Sequence, residues 1–386
     1  MGVRALDRIL TPKSIALVGA SPREGSTGLA LYQNLVGAGF KGEIALVNPR
    51  YTDVDGRTCA ASVSDLAAAP DVVVVAAPVE YALRQIEEAE KAGVAGAIVM
   101  TRDPAGAGGP LDLALRAVAR RRKMRIIGPD CLGVMMPSVG LNASLSANHA
   151  PPGDLALLSQ SGAIGAAMVT WAQSRHVGFS GLVSAGEMAD VDFGDLLDYF
   201  AMDSGTRAIL LYIDRLEDPQ TFMSAARAAA RVKPVIVAKS GRHKRGPRGG
   251  SSVANMAGPD TVYDAAFRRA GLLRVADVDE LFDAAEALGR IKPFPGNRLA
   301  IVSNGGGLGR LAAERHPGPA LDLRQPEPDQ PGPELVEGQP PITHPDLDRP
   351  FRHTEQTGDV ALAHERIRPR SSGRSSASGA VWPPKS

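Results

Sequence analysis

The chain has 386 residues, 44% of them apolar, and a formal net charge of +1; that is enough for two or three domains, with no charge excess to suggest nucleic acid or an acidic membrane surface as partner. Only two cysteines, Cys59 and Cys131, occur, which argues against a disulfide framework and fits a reducing cytoplasm. The opening MGVRALDRILTPKS lacks the apolar stretch of a signal peptide, and no apolar run approaches the ~20 residues of a membrane span.

Short β-branched runs then alternate with helical patterns. SIALVGA (14–20), EIALVNP (43–49), DVVVVAAP (71–78), AIVM (97–100) and RIIGP (125–129) read as strands. Their near-continuous hydrophobicity suits a parallel sheet covered on both faces. Helices are expected between them, at 80–92 and 110–122 among others. Repeated βα units imply a doubly wound, Rossmann-like α/β domain over 1–150. PPG (151–153) reads as a link to a second open α/β domain over 151–292. Its strands are expected at 154–161, 179–186, 207–214 and 233–240, and its helices at 162–175, 193–203, 219–231, 259–270 and 277–290. PFPG (293–296) is a further linker, and RLAIVSNGGGLG (298–309) opens a third α/β domain that remains incomplete over 293–315. From His316 onward 13 prolines fall in 71 residues and no period survives, so 316–386 is expected to be a disordered tail.

Gly19-Ala-Ser21-Pro-Arg-Glu-Gly25-Ser-Thr-Gly28 follows a strand and opens a helix. Small residues there let a phosphate approach backbone N–H groups at a helix N-terminus; a plain tight turn is the alternative. The second strand ends in Asn48-Pro49-Arg50 where a NAD-binding fold usually carries an acidic residue for the ribose hydroxyls. A cation at Arg50 favours a ribose that bears a phosphate, as NADP and CoA both do. LLSQSGAIG (157–165) is a strand, a serine-rich turn and a helix start. Ser159, Ser161 and the N–H groups around Gly162 could hold a phosphate there, or Ser161 could simply cap the helix.

Four of these features occur together and in order: GAS with the following glycines, VNPR, VVVVAAP and GPDCLGV (128–134). In combination they resemble the CoA-binding domain of the succinyl-CoA synthetase α subunit and of its relatives, the NDP-forming acyl-CoA synthetases. The resemblance implies a CoA-binding domain followed by a flavodoxin-like domain of the succinyl-CoA-synthetase type. It implies that Gly19 and Ser21 to Gly25 cradle the phosphates of CoA or acetyl-CoA, that Arg50 replaces a lysine facing the 3′-phosphate, and that Pro78 and Thr101 line the adenine and pantetheine path. Asp130 replaces the family's asparagine, losing an amide donor and adding a charge. The turn at Ser159, Ser161 and Gly162 matches a helix end that stabilises a phosphohistidine. Asp214 matches the carboxylate that orients it, although the family normally has glutamate.

The segment 238–275 carries the family's flanking sequences, but counting back from Ala257-Gly258 puts Ser252 at the histidine position and Ala254 at the glycine that follows. Serine forms a stable phosphate ester and should not relay a phosphoryl group. His243, among Arg242, Lys244, Arg245 and Arg248, is a possible substitute, a solvated basic loop being the plainer reading; His149 and His176 read as surface residues. GLNASLS (140–146) and DVDFGDLLDYFAMDS (190–204) resemble most the synthetase-like part of bacterial protein lysine acetyltransferases, in which the histidine is lost. The chain itself carries no ATP-grasp or acetyltransferase segment. The expectation is therefore a CoA-binding module without turnover of its own. The alternatives are an active α-type subunit completed by an ATP-grasp partner and, on fold alone, an NADP-dependent oxidoreductase. Neither a nucleic acid nor a membrane is expected as partner.

Overall fold

The computed structural model describes residues 4–106, 108–241, 260–290 and 310. Residues Met1–Lys292 form one compact unit, separate from Pro293–Ser386. Ser252, His243, the 293–315 segment apart from residue 310, and the 316–386 tail lie outside the described residues.

The first half opens with helix α1 (Arg4–Leu10) and strand β1 (Ser14–Val18), then α2 (Thr27–Gly37), β2 (Glu43–Val47), the short pair β3 (Asp53–Val54) and β4 (Arg57–Ala60), β5 (Val72–Val75), α3 (Val79–Lys91), β6 (Gly96–Val99), α4 (Pro110–Arg120) and β7 (Arg125–Ile127). The sheet order is β3-β4-β2-β1-β5-β6-β7, parallel except for the β3–β4 pair. The strands are wholly apolar at their centres because helices cover both faces: Val72–Val75 are all fully buried. The chain winds outward in opposite directions from β1, to β2 on one side and β5 on the other. The crevice between their C-terminal ends is the place where such folds take a ligand.

The second half contains β8 (Gly133–Met136), β9 (Leu141–Ser144), β10 (Pro152–Ser159), α5 (Gly162–Arg175), β11 (Phe179–Ser184), α6 (Phe193–Met202), β12 (Ala208–Ile213), α7 (Pro219–Ala230), β13 (Val235–Lys239), α8 (Asp260–Ala270), β14 (Leu273–Val275) and α9 (Val278–Arg290). Its order is β14-β13-β12-β10-β11-β8-β9. The central strands pair in parallel, while β8 and β9 form an antiparallel hairpin on the β11 edge. By sheet membership this hairpin goes with the second half, although it precedes residue 150.

The two sheets share part of their core. A single apolar cluster runs from Leu17 and Val74 through Ile127, Met188 and Val191 to Leu158 and Phe200. The segment after β11 docks along the β7 edge: Glu187, Ala189 and Val191 donate their N–H groups to the carbonyls of Pro129, Gly128 and Ile126 at 2.9, 2.9 and 3.0 Å. Arg125 closes this seam. Its guanidinium is buried, with 9% of the side chain exposed, and it donates to Asp190 at 2.8 Å and Asp195 at 2.5 Å.

Candidate functional site

The glycine loop between β1 and α2 is held by contacts that tolerate no side chain. Gly19 has φ +98°, and a Cβ there would lie 2.3 Å from the Ala76 carbonyl oxygen. A Cβ on Gly28 would lie 2.0 Å from the Gly19 carbonyl oxygen. Gly25, with φ +71°, has nothing within 4 Å of such an atom, so at this point the loop is an open cradle. Ser26 caps α2 by accepting from the Leu29 N–H at 3.2 Å. Ser21 is buried and accepts from the Arg23 N–H at 3.2 Å, so its hydroxyl already shapes the loop. Asn48 ties the loop to the next strand: its amide donates to the Ala20 carbonyl at 2.7 Å, and its side-chain oxygen accepts from the Arg50 N–H at 2.9 Å. The Arg50 side chain is exposed and makes no ion pair among the described residues.

Beside the loop lies a cleft of about 600 Å³, lined chiefly by Ala76–Glu80 after β5 and by Met100–Arg102 after β6. Pro78 precedes α3 without capping it through a side-chain hydrogen bond, and Val79 and Glu80 of its first turn line the cleft. The Thr101 hydroxyl donates to the Ala77 carbonyl at 2.9 Å, and its own carbonyl accepts from the Asp130 N–H at 3.2 Å. Asp130 sits in the left-handed region at φ +53°. Its carboxylate lies 3.5 Å from the Arg102 guanidinium, and the two side chains are 43% and 80% exposed. Next to it, Cys131 is buried against the Val99 carbonyl, and burial pushes its thiol up to about 12. It is no nucleophile near neutral pH.

At the C-terminal end of the second sheet, the Ser159 hydroxyl donates to the Ser161 carbonyl at 2.7 Å and accepts from the Ser161 N–H at 3.2 Å. Ser161 caps α5, accepting from the Ile164 N–H at 3.4 Å. Both hydroxyls are thus occupied in building the turn, and what the turn offers a ligand is the first backbone N–H groups of α5 around Gly162. Gln160 joins the turn to the end of β12, its side-chain oxygen accepting from the N–H groups of Asp214 and Arg215 at 2.8 and 2.9 Å. The Asp214 carboxylate accepts a short hydrogen bond from the Ser240 hydroxyl. Burial, then the Asp214 charge, pushes the Tyr212 and Tyr263 phenols up.

The two ends meet at the Gly128–Leu132 turn. The Leu132 N–H donates to the Ser184 hydroxyl at 3.0 Å, and a Cβ on Gly162 would stand 3.1 Å from that of Leu132. Arg102, Arg125 and Gln160 had not been singled out in the sequence, and Asn48 had been quoted only as part of the strand end before Arg50; a polar residue at a strand end was the available signal for Gln160. His149 and His176 are exposed, His149 accepting at Nδ1 from the Asn142 amide at 2.8 Å and His176 ending α5 in the left-handed region. Among the described residues there is no cluster of metal-ligating side chains and no helix long and apolar enough to cross a membrane.

Residues 13–137 match the family described as CoA binding domain, and residues 152–288 match the succinyl-CoA ligase-like flavodoxin domain. Fold and site therefore define a protein with a CoA-binding domain joined to a ligase-type α/β domain. The α subunit of ADP-forming acetate–CoA ligase I of Pyrococcus furiosus is 36% identical over 318 residues, covering 80% of this chain and 69% of that subunit. The ADP-forming acetate–CoA ligase of Methanocaldococcus jannaschii is 37% identical over 311 residues, covering 80% of this chain but 44% of the ligase. Among solved structures, the dinucleotide-forming acetyl-coenzyme A synthetase 1 of Ca. Korarchaeum cryptofilum, in complex with phosphate and ADP, superimposes with a TM-score of 0.74 at 34% identity, covering 80% of this chain and 68% of that one. The chain belongs to the NDP-forming acyl-CoA synthetases and matches the α subunits of their ADP-forming members. It spans under half the length of the longer ligase.

Proposed function

We propose that this chain binds CoA or an acyl-CoA across the C-terminal edge of the first sheet, and that it does not turn substrate over by itself. The observation that carries the reading is the order of features along that edge. Arg50 follows β2, the glycine loop follows β1, Pro78 follows β5, Thr101 follows β6 and Asp130 follows β7. The phosphates would lie at Gly25 and the helix α2 N-terminus, with Arg50 beside the ribose phosphate. The pantetheine arm would run along Pro78 and Thr101. A calorimetric titration with CoA, dephospho-CoA, NADP and ATP tests this. CoA should bind and NADP should not. Arg50→Ala should weaken CoA by about 1.5–3 kcal/mol, as for a hydrogen bond to a charged group. Equal affinity of the wild type for dephospho-CoA would remove Arg50 from the site.

In the second domain, the turn at Ser159–Gly162 and Asp214, joined by Gln160, supports a phosphate-handling role in the manner of the α subunits. Ser252 at the nucleophile position argues against relay, because a serine phosphate is not passed readily to a carboxylate. With γ-labelled ATP, with or without an added ATP-grasp subunit of the family, the chain should acquire no acid-labile label. Acid-labile, base-stable label would instead point to a phosphohistidine, with His243 the first residue to replace, and would favour an active subunit working with an ATP-grasp partner.

A further inference from the structure

The loop that follows β6 is both the start and the end of a closed circuit of contacts. Its first residues, Thr101, Arg102 and Pro104, line the cleft. One arm of the circuit leaves Thr101 through the turn after β7. The Thr101 carbonyl accepts from the Asp130 N–H, and the neighbouring Pro129 carbonyl accepts from the Glu187 N–H at 2.9 Å. The other arm leaves the far end of the loop through α4. There the Asp112 carboxylate accepts from the Gly108 N–H at 2.9 Å and from the Arg116 guanidinium at 3.0 and 3.1 Å. That guanidinium lies 3.8 Å from the Glu217 carboxylate. The two arms meet at Arg215, whose guanidinium donates to Glu217 at 2.7 Å and makes a short hydrogen bond to the Glu187 carboxylate.

The junction is firm and one joint is soft. Only 13% of the Arg215 side chain is exposed, so its charge is largely out of water and needs its carboxylates. A planar guanidinium holds two of them at once, which an ammonium does less well. Arg116 and Glu217 are each 29% exposed and stand too far apart for a hydrogen bond. The main chain of Arg215 carries the consequence. Its N–H and that of Asp214 both donate to the Gln160 side-chain oxygen, at 2.9 and 2.8 Å. With the oxygen fixed there, the Gln160 amide nitrogen points elsewhere, and it is buried with no partner among the described residues. The Gln160 side chain thus depends on the Asp214–Arg215 corner for its hydrogen bonds. Gln160 lies between Ser159 and Ser161, so the placement of Arg215 bears on the Asp214 carboxylate and on the turn before α5 together.

We infer that Arg215 is a positioning residue: a ligand seated on the loop after β6 restrains both arms of the circuit, and Arg215 passes that restraint to Asp214 and Gln160. No movement of one half against the other is needed, because loss of local freedom is itself the signal. The inference rests on the CoA reading given above. The test is hydrogen exchange on the full chain with and without CoA, read at times too short for global unfolding, so that it reports local opening. The amides of residues 214 and 215 are the reporters. In the wild type, CoA should slow them about tenfold, a coupling of ordinary size between two sites. Arg215→Gln should cut that slowing to under about twofold and leave the slowing at 19–28 in place. Arg215→Lys keeps the charge but not the two-sided grip, and should fall between. If urea denaturation shows that these variants do not fold, Glu217→Gln takes their place. It opens the α4 arm at the soft joint, still offers Arg215 a side-chain oxygen, and should reduce the slowing at the reporters about threefold with CoA affinity unchanged. Reporters slowed as in the wild type in the folded variant overturn the inference and leave CoA binding in place. So do reporters that CoA does not slow in the wild type while 19–28 responds. No response at 19–28 and no heat of CoA binding overturn the functional reading and the inference together.

Discussion

Gly19 and Gly28 meet where any side chain would collide with a carbonyl, whereas Gly25 faces open space. The same replacement should therefore act differently at the two kinds of position. Gly28→Ala should cost about 1–3 kcal/mol of stability, since overpacking against backbone cannot be relieved by a rotamer change. Gly25→Ala should cost about 1 kcal/mol, for its left-handed backbone, but should weaken CoA by more than its cost in stability because the methyl group fills the cradle. Urea unfolding and calorimetry on both variants separate the two effects; equal loss of stability would mean that the loop is not packed as described. A second residue gives a pH signature. Burial pushes the Asp71 carboxyl up, but hydrogen bonds from Arg8 at 2.7 and 3.0 Å and from the Lys13 N–H at 2.9 Å outweigh it and hold the group below its ordinary value. A depressed folded value means the contribution is present above about pH 4 and is lost as pH falls through the folded value. Asp71→Asn should destabilise by about 1–2 kcal/mol at pH 7, and the difference from wild type should shrink toward zero below pH 4. A difference independent of pH would assign the effect to packing.

The segment after β11 runs along the β7 edge, tied to it by three backbone hydrogen bonds and pinned by Arg125 between Asp190 and Asp195. Arg125→Met leaves both carboxylates without their cation. The expected cost is about 2–3 kcal/mol, below that of a deeply buried pair because Asp195 is 31% exposed. Urea denaturation measures it, and a change under about 0.5 kcal/mol would mean the seam is held by apolar contact alone. How elements of this kind could be read varies with their physics. Strands such as Val72–Val75 and Ala208–Ile213 were legible because burial on both faces writes itself as a continuous apolar run. The β3–β4 hairpin was overlooked although its signal was present: Asp55-Gly56 takes φ +56° and +74°, the backbone of a two-residue hairpin turn. The β8–β9 hairpin carried no alternation to read, since all eight of its residues are buried. The site divides in the same way. Loop glycines are written in residue type, because glycine alone takes such positions cheaply. The Gln160–Asp214 link spans 54 residues and Arg102–Asp130 joins two loops, so both are products of tertiary packing that no local pattern records.

At the scale of the molecule, the Gly128–Leu132 turn contacts two residues that line the cleft, Thr101 and Arg102, and also the start of α5 at Gly162. Ligand bound at the first sheet should therefore be felt in the second. At a hundred times its Kd, CoA should stabilise the fold by about 2.7 kcal/mol. Hydrogen exchange should slow at the amides of 185–191 and 159–165 as well as at 19–28 and 76–80. Protection confined to the first sheet would mean the two ends are not coupled. The β8–β9 hairpin adds a consequence of a different kind. The chain leaves the first sheet at Ile127, enters the second at Gly133, and only then reaches the apparent linker at 151–153. A recombination event that joined the first 150 residues of this chain to the remainder of a relative would carry two strands across the boundary and seat them on a foreign β11. Inheritance of these halves by shuffling is therefore easiest with a break within the few residues before Gly133, and that stretch is the turn that contacts both sites. The two halves are best exchanged together or not at all.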